Sequence, residues 1–200
     1  MIKNNIRRES YLKFLNTWKN RDLIKVLSGV RRSGKSTLLA MFQQDLKEQG
    51  VQDENIIAIN FEYMEFEELT DYRKLHDYVL SKVDKNKKNY VFLDEIQHVQ
   101  NFEKVVDSLY IRDYIDLYIT GSNAFFLSGE LATLLTGRYI EQHVLPLSFQ
   151  EFKQWHTENN PTIQQLSNRD LYAMYTRSSF PYKLAMTNQQ ETYDYLQAVY

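Results

Sequence analysis

Short apolar runs alternate with stretches of helical periodicity along this chain. Leu23–Leu27, Ile56–Phe61, Tyr90–Asp94 and Leu117–Thr120 are runs of strand length, rich in β-branched and aromatic residues as buried strands are, and Ile140–Leu145 is read as a fifth strand. Between them apolar residues recur at three and four positions. Ser10–Lys19 carries Leu12, Leu15 and Trp18; the segment from Ser36 is helical up to a C-cap at Gly50; 71–83 places Leu75, Tyr78, Val79 and Val83 on one face; Phe102–Arg112 continues the series. This alternation predicts an α/β fold, a five-stranded parallel sheet with helices on both faces and ligands at the strands' C-terminal ends. After Pro146 the strands stop, and short helices are expected over Phe149–Trp155, Asp170–Arg177 and Glu191–Tyr200.

The turn between the first strand and its helix carries chemistry. Gly29-Val30-Arg31-Arg32-Ser33-Gly34-Lys35-Ser36, with Thr37 next in the helix, fills every fixed position of G-x-x-x-x-G-K-[ST]. Glycines let the backbone wrap a polyphosphate, and the N–H groups at the helix start receive its negative charge. Lys35 is expected to neutralise the β and γ phosphates, and the Ser36 hydroxyl to ligate Mg²⁺. An ordinary glycine-containing turn is the alternative, and the flanking strand and helix weigh against it.

A second constellation follows the third strand, where apolar residues lead into Asp94-Glu95. Asp94 is expected to hold the Mg²⁺ shell. Glu95 can orient and polarise a water that attacks the γ phosphate, a role not specifically needed for transfer to another hydroxyl. An acidic turn after a buried strand is the plain alternative.

Composition narrows the classes. The net charge of −2 gives no global attraction to nucleic acid, and the absence of cysteine excludes disulfides and thiolate metal sites. No apolar run approaches the length of a membrane span, and the first residues lack a secretory apolar region, so a cytoplasmic protein with no membrane partner is expected. Charge is uneven locally: Lys3–Lys35 is strongly basic around the phosphate motif, whereas 53–71 holds seven acidic residues and no Lys or Arg, the pattern of a solvated face.

The order of motifs is more specific than any one of them. The phosphate loop, Leu93-Asp94-Glu95, Thr120-Gly121-Ser122-Asn123, Gly137-Arg138-Tyr139 and Pro146-Leu147-Ser148-Phe149-Gln150-Glu151-Phe152 together resemble AAA+ superfamily P-loop ATPases. More narrowly they resemble bacterial and archaeal ATP-binding proteins that carry a winged-helix region and a C-terminal nuclease-like domain. The resemblance covers the chain from about Arg8 to Tyr200. It implies a P-loop core over 1–148 and a small helical lid over 149–200, incomplete at its C-terminus and belonging to a longer protein.

The resemblance also implies roles by position. Ser122 and Asn123 fall where a polar side chain contacts the γ phosphate or the attacking water, with Thr120 a less favoured occupant; from the residues alone, 120–123 is a turn. Arg138 occupies an arginine-finger slot that would act on a neighbouring subunit's ATP in a homo-oligomer, a surface or intramolecular contact being the alternative. Pro181, in Ser178-Ser179-Phe180-Pro181-Tyr182, matches a lid proline near the nucleotide base. Serines replace the usual glycines there, and a proline that simply starts a helix reads equally well. ATP/ADP rather than a guanine nucleotide follows from the resemblance and from the lack of an N-K-x-D motif.

Three classes fit these features. The leading one is a Mg²⁺-dependent ATPase, acting on DNA through domains outside these residues. The others are a slow-turnover signalling switch and a small-molecule phosphotransferase. Glu95 and the absence of an evident arginine-rich lid argue against the last.

Overall fold

The computed structural model describes residues 6–121, 135–159, 166–177, 179–186 and 189–199. Ser122, Asn123 and Ser178 lie outside the described residues. The chain divides into two compact units, one made of Glu9–Gly29 and Lys35–Val144, the other of the described residues up to Arg8, Val30–Gly34 and those from Leu145 onward.

The larger unit is built on the expected five-stranded parallel sheet. Its strands are β1 (Ile24–Ser28), β2 (Ile56–Asn60), β3 (Asn89–Asp94), β4 (Ile115–Gly121) and β5 (Tyr139–His143), in the order β2-β3-β4-β1-β5. β1, β3 and β4 are the inner strands and are buried along their whole length. That is why they read as continuous apolar runs rather than alternating ones.

The side-chain period of two splits these strands between two cores. Ile24, Val26, Leu93 and Ile119 pack with Leu75 and Val79 of α3 (Tyr72–Lys82) and with Val105, Val106 and Leu109 of α4 (Phe102–Tyr110). Leu27, Phe92 and Tyr118 pack instead with Leu12 and Leu15 of α1 (Glu9–Trp18) and with Leu38, Phe42 and Leu46 of α2 (Lys35–Glu48). Phe92 stacks on Tyr118 with centroids 4.8 Å apart, and Phe42 tilts against Tyr118 at 5.3 Å. α2 ends as its sequence indicates: Gly50 has φ +93°, and the Val51 amide donates to Leu46 O at 3.0 Å, the long return bond of a glycine-terminated helix.

At the N-terminal ends of the inner strands, their first residues hold a buried polar network. Lys25 and Asp116 are a buried ion pair; Lys25 Nζ also donates to Arg21 O (2.7 Å), and Asp116 accepts from Tyr118 OH (2.8 Å) and the Asn20 amide (2.8 Å). Burial pushes Lys25 below its ordinary value, with Asp116 opposing it. The same burial, aided by the Asp116 charge, drives the Tyr118 phenol far up, so it serves as a donor.

The smaller unit is helical: α5 (Phe149–Asn159), α6 (Asn168–Tyr175), a 3₁₀ turn (Pro181–Ala185) and α7 (Gln189–Val199). Its core is Ile6, Leu147, Phe152, Trp155 and Leu184. α5 starts with a reciprocal cap in which the Ser148 amide donates to Glu151 Oε2 (2.7 Å) and the Glu151 amide to Ser148 Oγ (3.2 Å). The carboxylates of 53–71 are exposed, as a solvated acidic face would be. No helix among the described residues is long and apolar enough to cross a membrane.

Candidate active site

Strand order alone brings the two sequence motifs together. β1 runs into the phosphate loop and β3 into Asp94-Glu95, with only β4 between them, so their ends lie about 10 Å apart by inter-strand spacing. Thr120, opposite Leu27 in register, fills the position between.

Gly29 leaves β1 with φ +142°, and a Cβ there would meet Val144 O at 2.3 Å, because the Val144 amide bonds to Ser28 O at 2.7 Å and holds that chain close. Only glycine fits. Gly29→Ala is expected to destabilise the larger unit by about 1–3 kcal/mol through overpacking and backbone strain, read as a lowered midpoint in urea. A midpoint equal to the unmodified protein's would contradict this close approach.

α2 begins at Lys35, so its first-turn amides lack helical acceptors and carry the positive end of the helix dipole. The Lys35 side chain is 3% exposed, and its Nζ lies 3.2 Å from Gly29 O and 3.5 Å from Glu95 Oε1. One ammonium therefore reaches both the start of the phosphate loop and the carboxylate that follows β3. The Ser36 hydroxyl lies near enough to Asp94 to counter the effect of burial on that carboxyl.

Asp94 is 7% exposed and fully engaged. Thr120 Oγ1 donates to Oδ1, and Asn60 Nδ2 donates to Oδ2 at 2.9 Å. Burial raises its pKa; the Thr120 and Ser36 hydroxyls and the Lys35 charge oppose that rise, while the Glu95 charge adds to it. Glu95 itself sits in the left-handed region at φ 56°, ψ 49°, a conformation costing a non-glycine residue on the order of 1–3 kcal/mol. Its amide donates to Thr120 Oγ1 at 2.9 Å. This sharp reversal ends the strand and turns the carboxylate toward Lys35, while Gln97 Nε2 donates to Oε2 at 2.5 Å.

The geometry thus brings together Gly29, Lys35, Ser36, Asp94 and Glu95 among the residues singled out in the sequence. Thr37 is half-buried on the next turn position of α2. Thr120, less favoured than Ser122 and Asn123 from the sequence, is the hydroxyl that links Asp94 to the Glu95 backbone. Asn60 and Gln97 carry no sequence signal beyond position: Asn60 ends the strand beside β3 and pairs in register with Asp94. Parallel pairing places the last residues of neighbouring strands side by side, which would have pointed to Asn60.

Arg138 lies elsewhere. It precedes β5, whose Tyr139 pairs with Ile24 at the start of β1, on the order of 15 Å along the strands from Gly29. Its guanidinium pairs with Asp107 of α4 and lies 6.0 Å from the Tyr110 ring centroid. This is an intramolecular contact, far from the phosphate loop of its own chain.

The loop residues Val30–Gly34 belong to the smaller unit. Val30, Arg31 and Arg32 are exposed and Ser33 is buried. Arg32 adopts φ 65° and places its guanidinium 5.2 Å from the Tyr195 ring centroid. Pro181 begins the 3₁₀ turn, as a plain helix-starting proline would, and also lies beside the loop: a Cβ at Gly34 would stand 3.6 Å from its Cγ.

The residues present fit a magnesium ion. Ser36 lies close enough to Asp94 for its hydroxyl to oppose the rise of that carboxyl's pKa, which places two hard oxygen donors near one another. Mg²⁺ takes few protein ligands, keeps several waters and completes its shell with phosphate oxygens. Among the described residues no cluster of three or more His, Asp or Glu side chains offers another metal site.

Comparison with known proteins agrees with this arrangement. Residues 21–153 match a family model described as an AAA domain. An uncharacterized protein of Haemophilus influenzae is 44% identical over 183 residues, covering 90% of this chain and 45% of the relative, so the chain spans less than half of that relative's length. Among solved structures, the Walker-type ATPase of Pyrococcus abyssi superposes with a TM-score of 0.63 at 15% identity, covering 98% of this chain and 71% of the other. AMPPCP-bound DnaA from Aquifex aeolicus gives 0.58 at 12% identity over 89% of this chain and 58% of the other.

Proposed function

Because the chain belongs to the AAA domain family, we propose that it binds ATP with Mg²⁺ and hydrolyses it to ADP and phosphate. The observation that carries this reading is the Glu95 carboxylate, held 3.5 Å from the Lys35 ammonium and adjacent to a buried Asp94. A P-loop lysine and a carboxylate within its reach supply the charge neutralisation and the proton acceptor that a water attack can use.

Each residue has a separable task. The Gly29–Ser36 loop and the first amides of α2 accept the phosphates. Lys35 exchanges its contact with Glu95 for phosphate oxygens, whose greater charge density competes for the same ammonium. Glu95, released from that pair, orients a water and accepts its proton. Asp94 and Ser36 would hold the metal ion, which would neutralise charge on the phosphate oxygens. Thr120 keeps Asp94 and the Glu95 backbone in register by bonding to both. Ser122, Asn123 and, from a neighbouring copy, Arg138 are proposed to complete the site, and DNA, reached through domains outside these residues, is proposed as the partner on which turnover acts. The AAA family and the nucleotide-bound fold neighbour support the nucleotide-binding part of this reading.

Steady-state phosphate release with ATP and Mg²⁺, with and without DNA, tests the proposal. Lys35→Ala is expected to weaken ATP binding by about tenfold or more, the loss of a charge-assisted contact, measured by titration calorimetry; equal affinity would remove the assigned role of the loop. The switch reading is favoured by one feature, the capture of Glu95 by both Lys35 and Gln97. It predicts one tightly retained ADP per chain and no sustained turnover, where the ATPase reading predicts continuous release.

A further inference from the structure

The segment Pro146–Phe152 stands out in the sequence, yet the hydrolytic site uses none of it. Its Glu151 meets Arg8, which is 4% exposed and lies within the smaller unit. Arg8 Nε donates to Glu151 Oε1 at 2.8 Å and Nη2 to Oε2 at 3.3 Å. The same guanidinium donates to three backbone carbonyls: Leu145 O at 2.9 Å, Pro146 O at 3.2 Å and Ser33 O at 3.2 Å. The last belongs to the phosphate loop.

We propose that Arg8 and Glu151 form a positioning pair that fixes the Ser33–Gly34 peptide and so sets the affinity of the loop for a triphosphate. The inference rests on the ATP-binding reading above. A trans peptide is planar, and its C=O and N–H point in opposite directions. Holding the Ser33 carbonyl on Arg8 therefore aims the Gly34 N–H away from Arg8. Gly34 has φ +99°, and glycine visits many backbone states at little cost, so its own residue type does not hold that direction. An external anchor does.

Glu151 makes the anchor affordable in a buried setting. It neutralises the guanidinium in a two-point contact, the geometry for which arginine is suited and lysine is not. Burial pushes the Glu151 carboxyl up, but hydrogen bonds from Arg8 and the Ser148 amide, with the Arg8 charge, outweigh it and leave the pKa below the ordinary 4.5. Glu151 is fixed in turn by the reciprocal cap at the start of α5. The chain of constraint runs from a helix cap to a carboxylate, to a guanidinium, to one loop peptide.

Arg8→Lys tests the pair, since an ammonium keeps the charge but cannot reach the Glu151 carboxylate and three carbonyls together. The expected result is an ATP dissociation constant and KM about tenfold higher with kcat changed less than about twofold, the loss of one charged hydrogen-bond set acting on binding alone. The ¹⁵N–¹H resonance of Gly34 is expected to move in the variant, which a role confined to packing would leave in place. Lys35→Ala runs as the control. Unchanged ATP affinity in Lys35→Ala overturns the ATP-binding reading itself. Weakened affinity in Lys35→Ala beside unchanged affinity and an unmoved Gly34 resonance in Arg8→Lys overturns the positioning pair alone. Should Arg8→Lys not fold, Glu151→Gln keeps the side-chain shape and is read the same way, with affinity about threefold weaker expected and equal affinity overturning the proposal.

Discussion

Glu95→Gln is expected to bind ATP at least as tightly as the unmodified protein while its phosphate release falls by about a hundredfold or more, the range assigned to a general base. Glutamine preserves the size of the side chain, can still accept from Gln97, and removes the one property a base needs. The left-handed backbone at position 95 is held by the Thr120 hydroxyl through the main-chain amide, so the substitution leaves that anchor intact. Lys35 loses its carboxylate partner at 3.5 Å and becomes more available to phosphate, which is why affinity does not fall. Calorimetry for ATP and a coupled phosphate assay give the two numbers. Phosphate release at the unmodified rate would falsify the assignment of Glu95; a parallel loss of binding would instead make it a structural partner of Lys35.

The largest effect on stability is expected at the opposite end of the strands. Lys25→Met leaves Asp116 buried with its charge uncompensated, a change of about 3–5 kcal/mol, seen as a lower midpoint in urea. Tyr118 OH and the Asn20 amide still donate to Asp116, but neither carries charge. Adding Asp116→Asn in the same chain removes the orphaned charge and keeps an acceptor, so the double variant is expected to regain a large part of the loss. A loss below about 1 kcal/mol for Lys25→Met, or a double variant less stable than Lys25→Met itself, would show that the pair does not carry the stability assigned to it.

Much of the fold was legible because its inner strands are buried on both faces. Leu23–Leu27 and Tyr90–Asp94 read as apolar runs and are found as β1 and β3 with ends shifted by one residue. β4 extends further than its apolar run because Asp116 lies inside it, a charge that only its pairing with Lys25 makes compatible with burial. The first two residues of β4 were therefore hidden by the very residue that the tertiary structure neutralises. Gly50 was readable as a helix stop because the physics is local, a positive φ that glycine adopts freely.

The site divides in the same way. The sequence by itself determined the loop Gly29–Ser36, the Asp94-Glu95 pair and the alternation that puts both at strand ends, since residue type, local turn chemistry and period are properties of neighbouring positions. Only the tertiary structure decided that Thr120 ties Asp94 to Glu95, that Asn60 braces Asp94, that Arg138 pairs with Asp107 within its own chain, and that Arg8 grips the Ser33 carbonyl. Each joins residues 25 or more positions apart, and the order β2-β3-β4-β1-β5 that brings most of them together follows from how two apolar cores are covered at once. No local pattern records that choice, because the free energy that makes it belongs to the packed sheet as a whole.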